Sequence, residues 1–205
     1  MWLKEIPREW SKGVGVDQEL YASWDQLLRP EECVTLINRY DPQVKNATIF
    51  DKQQSAEVVR DHIRRSRVCW IPIEETTDWL YSHVWNSAVL TNHWDVDVRG
   101  YNEQFQYTLY DKNSFYGWHR DIGPGYHHRK LSLSILLSDP KDFEGGEFEF
   151  EASENEYPDT GFVPPELDRQ GSAIIFPSFI KHRIKPVTSG VRRSLVIWLS
   201  GPRYK

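Results

Sequence analysis

Beyond Asp95 the chain stops reading with a helical period and begins to alternate. Phe105-Gln106-Tyr107-Thr108-Leu109-Tyr110 puts Gln106, Thr108 and Tyr110 on one face of an extended strand. Leu131, Leu133, Ile135 and Leu137 likewise oppose Ser132, Ser134 and Leu136. Further strand-like runs follow at 146–150, 173–176, 182–187 and 193–199, separated by Gly, Pro and Asp turns. Nothing helical lies among them. Short strands in such a series predict an antiparallel jelly roll.

The first half reads differently. Pro30 followed by Glu31-Glu32 starts a helix through Cys33, Leu36, Ile37 and Tyr40, because proline is pre-set for the first turn and acids there complement the macrodipole. A second helix is expected from Thr76 to His93, capped by Thr77 or Asp78, with Trp79, Leu80, Val84 and Val89 as its apolar stripe. The fold class is therefore mostly β with N-terminal helices. We read residues 1–205 as a single domain, with 1–95 mainly helical support and 96–205 the jelly-roll core that carries the site. Residues 151–170, acidic and proline-bearing, read as an inserted loop or lid.

A chain of 205 residues with 39% hydrophobic residues and nine Trp has enough apolar mass for one packed core. No apolar run approaches the length of a membrane span, and the N-terminus lacks a signal-peptide core, so a cytoplasmic protein is expected. Cys33 and Cys69 are too few for a disulfide framework and lack zinc-clip spacing, so both read as reduced, buried thiols. A net charge of −5 argues against a nucleic-acid partner.

Four polar residues interrupt the strands: His119, Asp121, His182 and Arg192. Residues two apart on a strand point to the same side, so His119 and Asp121 can meet one ion. His182 arrives from a distant strand. Two imidazoles and one carboxylate suffice to hold a ferrous ion on one face and leave the other open. Arg192 and Ser194 share a strand face and suit a carboxylate; Arg193 points the other way and is the second choice. Tyr110 reads either as a core tyrosine or as a hydrogen-bond donor to the same carboxylate. His93-Trp94-Asp95 repeats the His-x-Asp pattern, but it sits at a helix end without a matching later histidine. His127 and His128 border Asp121 and read as exposed loop residues. Gly145-Gly146-Glu147-Phe148 reads as a strand-entry turn, and Arg64-Arg65-Ser66-Arg67 as a solvated face. Trp118, Trp198 and Phe176 are expected to keep the pocket dry.

From Gln106 to Pro202 these motifs, in order and spacing, resemble the prolyl-4-hydroxylase-like class of Fe(II)/2-oxoglutarate-dependent oxygenases. The blocks are Phe115-Tyr116-Gly117-Trp118-His119-Arg120-Asp121, Gly171-Ser172-Ala173-Ile174-Ile175-Phe176-Pro177 and His182 through Arg192. The resemblance implies a double-stranded β-helix that binds Fe(II) through His119, Asp121 and His182. It further implies that Arg192, assisted by Tyr110, holds the distal carboxylate of the co-substrate 2-oxoglutarate (2OG). The sequence departs from some prolyl hydroxylases in having Leu136 where they have tyrosine, and from collagen-type enzymes in having Arg192 where they have lysine.

What the resemblance implies functionally is side-chain hydroxylation, with ascorbate as reductant. The substrate expected first is proline in a peptide or protein. A free amino acid or small metabolite is the alternative. The remaining reading is a non-catalytic jelly-roll binding module, which calls for a closed four-ligand zinc site where the sequence offers three good ligands.

Overall fold

The computed structural model describes residues 2–4, 20–51, 56–58, 60–151 and 161–203. Residues 152–160 of the expected lid lie outside them. In chain order the elements begin with β1 (Trp2–Lys4), β2 (Tyr21–Trp24), α1 (Pro30–Tyr40), β3 (Lys45–Asn46), β4 (Ile49–Asp51), β5 (Ala56–Val58), β6 (Arg64–Arg65), β7 (Arg67–Ile71) and α2 (Asp78–Leu90). The second half contributes β8 (Phe105–Tyr110), β9 (Phe115–His119), β10 (Arg129–Leu136), β11 (Phe143–Gly145) and β12 (Phe148–Glu151). It closes with β13 (Gly161–Phe162), β14 (Ala173–Pro177), β15 (His182–Ile184), β16 (Val187–Gly190) and β17 (Arg192–Ser200).

An eight-stranded sheet runs β1-β2-β14-β10-β17-β8-β7-β3, and a five-stranded sheet runs β13-β12-β15-β9-β6. Two ribbons, β11 with β16 and β4 with β5, complete the set, and the pairings are antiparallel. Strand alternation gives the large sheet two different faces. Phe105, Tyr107, Leu109, Leu131, Leu133, Ile135, Leu195, Ile197 and Leu199 pack with the buried residues of α1 and α2 in one core. Tyr110, Ile174 and Phe176 face the other way and pack with Phe148, Phe150 and Ile184 of the small sheet. The site opens between the two sheets. This is the double-stranded β-helix expected from the sequence.

The helices close one side. In α1, Cys33, Leu36 and Tyr40 are the buried stripe, and the Arg29 amide donates to Glu32 Oε2 at 2.8 Å to satisfy a free helix-end donor. In α2 the stripe is Leu80, Tyr81, Val84 and Ala88. Trp79 and Val89, expected in it, are exposed, because Leu80, Val84 and Ala88 repeat every four residues and turn their neighbours outward. Thr77 is the N-cap by position, yet its hydroxyl donates to Pro72 O at 2.6 Å and closes the preceding turn. The first 95 residues are also less helical than expected. Strands β2, β3 and β7 extend the large sheet and β6 extends the small one, short segments whose alternation is too brief to read. Pro186, with no N–H to give a ladder, ends the single strand expected over 182–187, leaving β15 and β16. Among the described residues no helix is long and apolar enough to cross a membrane.

Candidate active site

His119 ends β9 and His182 begins β15, and the ladder between those strands makes the two residues direct partners. Asp121 follows His119 by two residues, held by its amide donating to Ser178 O at 3.1 Å. The three side chains each offer one atom within 4.8 Å of the others. His119 Nε2 stands 3.7 Å from Asp121 Oδ1, and His182 Nε2 stands 3.6 Å from Asp121 Oδ2.

Backbone carbonyls decide the tautomers. His119 Nδ1 lies 2.9 Å from Gly117 O, and His182 Nδ1 lies 2.9 Å from Ile180 O. A carbonyl only accepts, so both Nδ1 atoms carry the proton and both Nε2 lone pairs are left facing the carboxylate. Burial, reinforced by His182, pushes the His119 pKa down to about 3, so its imidazole is neutral at ordinary pH. Burial raises the Asp121 pKa, but His182, His119, Arg129 and the Ser132 hydroxyl outweigh it and bring the group to about 2. Two imidazoles with their Nδ1 atoms held by carbonyls, beside an ionised carboxylate, form a donor set that fits a divalent iron.

Neighbouring side chains fix this set. Ser132 Oγ donates to Asp121 Oδ2 at 2.6 Å and meets Ser178 Oγ at 3.0 Å. Tyr116 stacks on the His119 ring with centroids 3.5 Å apart, and Phe148 lies parallel to the His182 ring at 5.3 Å.

Beside the triad, β17 and β8 carry a second group of polar residues. Their register pairs Arg192 with Tyr110, Ser194 with Thr108 and Val196 with Gln106. Arg192 is buried, its Nη1 donates to Ser194 Oγ at 3.2 Å, and its guanidinium carbon lies 5.7 Å from the Tyr110 ring centroid. No carboxylate of the described residues forms an ion pair with it, and burial lowers its pKa. A buried guanidinium in that position is set up to receive an anion. A cavity of about 340 Å³, lined by Tyr110, His119, Asp121, His182, Ser194 and Trp198 among others, joins the two groups.

Residues 105–200 match the model of the 2OG-Fe(II) oxygenase superfamily. A PKHD-type hydroxylase of Gloeothece citriformis is 32% identical over 96 residues, covering 45% of this chain and 40% of that protein. A PKHD-type hydroxylase of Synechococcus sp. (strain CC9902) is 38% identical over 85 residues, 41% of this chain and 35% of that protein. The matched region thus spans about two fifths of these relatives' length. Among solved structures, a Pseudomonas putida prolyl-4-hydroxylase superposes with a TM-score of 0.68 at 16% identity, covering 89% of this chain and 93% of that one. The Trichoplax adhaerens prolyl hydroxylase, solved with a hypoxia inducible factor oxygen degradation domain peptide fragment, gives 0.69 at 17% identity, covering 88% and 83%.

Over residues 105–200 the chain is thus similar to 2OG-Fe(II) oxygenases, on a fold it shares with prolyl hydroxylases. Within it the structure brings His119, Asp121 and His182 to one point and Arg192, Tyr110 and Ser194 to another. Arg193 points to the opposite face, as alternation requires, and meets Asp41 instead. His93 is exposed beyond the end of α2.

Several residues around the site were not legible in the sequence. Arg129 on β10 is buried, its guanidinium carbon 3.6 Å over the Trp198 ring and 4.1 Å over Tyr126, with Nε donating to Glu103 Oε1 at 2.7 Å. His128, expected as an exposed loop histidine, is half-buried with Nε2 2.9 Å from the same Glu103 oxygen. Arg64, expected on a solvated face, is buried, lines the cavity and lies 4.7 Å over the Tyr116 ring. Trp118 is not a cavity residue: it faces outward under the Arg183 guanidinium, 4.3 Å away, while Trp198 and Phe176 do line the cavity. Alternation could not have shown this, since the cavity-lining Tyr116 and His119 are three apart and the β15–β9 ladder shifts register between them.

Proposed function

We propose that this chain is an Fe(II)- and 2OG-dependent dioxygenase that hydroxylates a side chain, with proline in a peptide or protein as the leading substrate. His119, Asp121 and His182 hold the metal, Arg192 with Ser194 and Tyr110 holds the distal carboxylate of 2OG, and residues 1–205 act as one oxygenase domain. The observation that carries this reading is the pair of carbonyl-fixed imidazoles turned on one ionised carboxylate, beside a buried guanidinium with no ion-paired carboxylate among the described residues. Bound iron and the oxo-acid supply the oxidising chemistry. The protein's residues orient them: Ser132 fixes the carboxylate, Tyr116 and Phe148 fix the rings, and Phe176 and Trp198 exclude water. The peptide-bound Trichoplax adhaerens relative supports a peptide or protein substrate. Ascorbate is proposed as the reductant that keeps the iron ferrous.

The test is succinate release from 2OG by anaerobically purified protein with Fe(II) and ascorbate, against a His182→Ala control. Turnover that depends on iron and disappears in the variant is the expected result. Equal succinate from both proteins would remove the reading. A ferrous–2OG absorbance band formed anaerobically separates it from a binding module, which gives neither the band nor succinate.

A further inference from the structure

One wall of the cavity carries groups whose polar and ring contacts the chemistry proposed above leaves unused. Trp198 lines it at 5% exposure, and its Nε1–H is buried without a hydrogen-bond partner among the described residues. A donor buried in that state carries a desolvation cost that a bound acceptor removes. Trp70 on β7 lines the same cavity and is 44% exposed, and it is the exposed tryptophan of the described residues that borders the site. The two indole centroids lie 6.2 Å apart at 44°. Register explains their approach: Trp70 pairs with Gln106, and Gln106 pairs with Val196, two residues before Trp198 on the same face. The Arg129 guanidinium, 3.6 Å over Trp198, holds that ring still. A ring with a buried, unpartnered donor and a half-exposed ring therefore stand side by side on one wall of the cavity.

We propose that Trp70 is a specificity-determining residue, and that this wall receives an extended peptide with an apolar or aromatic side chain within two residues of the one hydroxylated. The proposal rests on the oxygenase reading of the site. A peptide supplies what both indoles lack, a backbone carbonyl for Nε1–H and a side chain to cover Trp70. Same-face side chains of an extended chain repeat at about 6.6–6.8 Å, close to the separation of the two rings. A free amino acid can offer the acceptor but leaves Trp70 bare.

The experiment uses short proline-containing peptides with Phe, Leu, Ala or Asp within two residues of the proline, alongside free L-proline. Gain of one oxygen is followed by mass spectrometry, and kcat/KM is compared between peptides within each protein, so that a general loss of activity cancels. The native protein should prefer Phe to Ala by about tenfold, the scale of one aromatic contact. Trp70→Ala should bring that ratio near one, and Trp70→Phe should keep most of it. An unchanged ratio in Trp70→Ala overturns the proposal, and so does free proline turned over as well as the best peptide. Loss of iron-dependent succinate release from the native protein would instead remove the oxygenase reading, and this proposal with it.

Discussion

Across the β17–β8 ladder Arg192 is the direct partner of Tyr110, so that a buried guanidinium faces a buried phenol where the two sheets meet. Burial drives the Tyr110 hydroxyl toward its protonated form, which keeps it a donor. Both groups therefore present donors to one incoming carboxylate. Arg192→Ala should raise the 2OG requirement by about 10- to 100-fold, the range for losing charge-assisted hydrogen bonds. Steady-state KM for 2OG measures it, with the far-ultraviolet spectrum as a check on folding. An unaltered requirement would show that another group binds the co-substrate.

The carboxylate of Asp121 depends on a serine eleven positions away. Ser132 donates to Oδ2 and leaves Oδ1 on the His119 side. Removing such a supporting partner typically costs 10- to 100-fold in metal affinity. Ser132→Ala should weaken binding of Fe(II), or of Co(II) as its air-stable probe, at least about tenfold. Anaerobic titration reads this directly, and an affinity equal to that of the native protein would deny Ser132 the role.

How far this site could be read from the sequence follows from how its contacts are made. His119 ends β9 and Asp121 lies two residues beyond it, so the spacing expected from alternation brings them together even though the strand has already ended. Arg192 and Arg193 were separable for the same reason. Ser132, Arg129 and Glu103 were not. Their roles arise from pairing between strands and loops distant in the chain, and a serine in an alternating strand looks like any other serine. Arg64 was misread because its strand is two residues long, too short for a period to show which side faces inward. The short strands β2, β3 and β6 were missed on the same ground, whereas β8 and α1 carry enough residues for their period to be read.

Gly146 is more than a turn residue. Its φ is +66°, and a Cβ there would sit 2.8 Å from Val187 Cγ2 and 3.0 Å from Arg192 Cδ. The stem of Arg192 is laid against the bare glycine. Gly146→Ala should cost about 1–2 kcal/mol through backbone strain. It should also raise the KM for 2OG, because the displaced stem carries the guanidinium with it. Gly123→Ala, where a Cβ meets nothing within 4 Å, is the control. A destabilised Gly146→Ala protein with native KM for 2OG would reduce the glycine to a purely structural position.

Arg193 shows what the outward-facing arginine does instead. Its Nε and Nη2 donate to Asp41 Oδ2 at 2.9 and 2.6 Å, and Tyr107 donates to the same carboxylate, tying the end of α1 to β17. Burial raises the Asp41 pKa, but Arg193 and Tyr107 outweigh it and hold the group below its usual 3.8. A carboxylate with a depressed folded-state pKa stabilises fully above its unfolded value, and that contribution fades as pH falls through the folded value. Asp41→Asn should therefore lower stability at pH 7 by about 1–2 kcal/mol, a figure tempered by the pair's partial exposure. The gap to the native protein should close below about pH 4, where the native carboxylate is itself being neutralised. Denaturant melts at several pH values measure this. The 2OG requirement should not move, since the pair lies on the helix side of the sheet and Arg192 on the cavity side. A stability gap independent of pH would mean that α1 is held to β17 by packing and not by this ion pair.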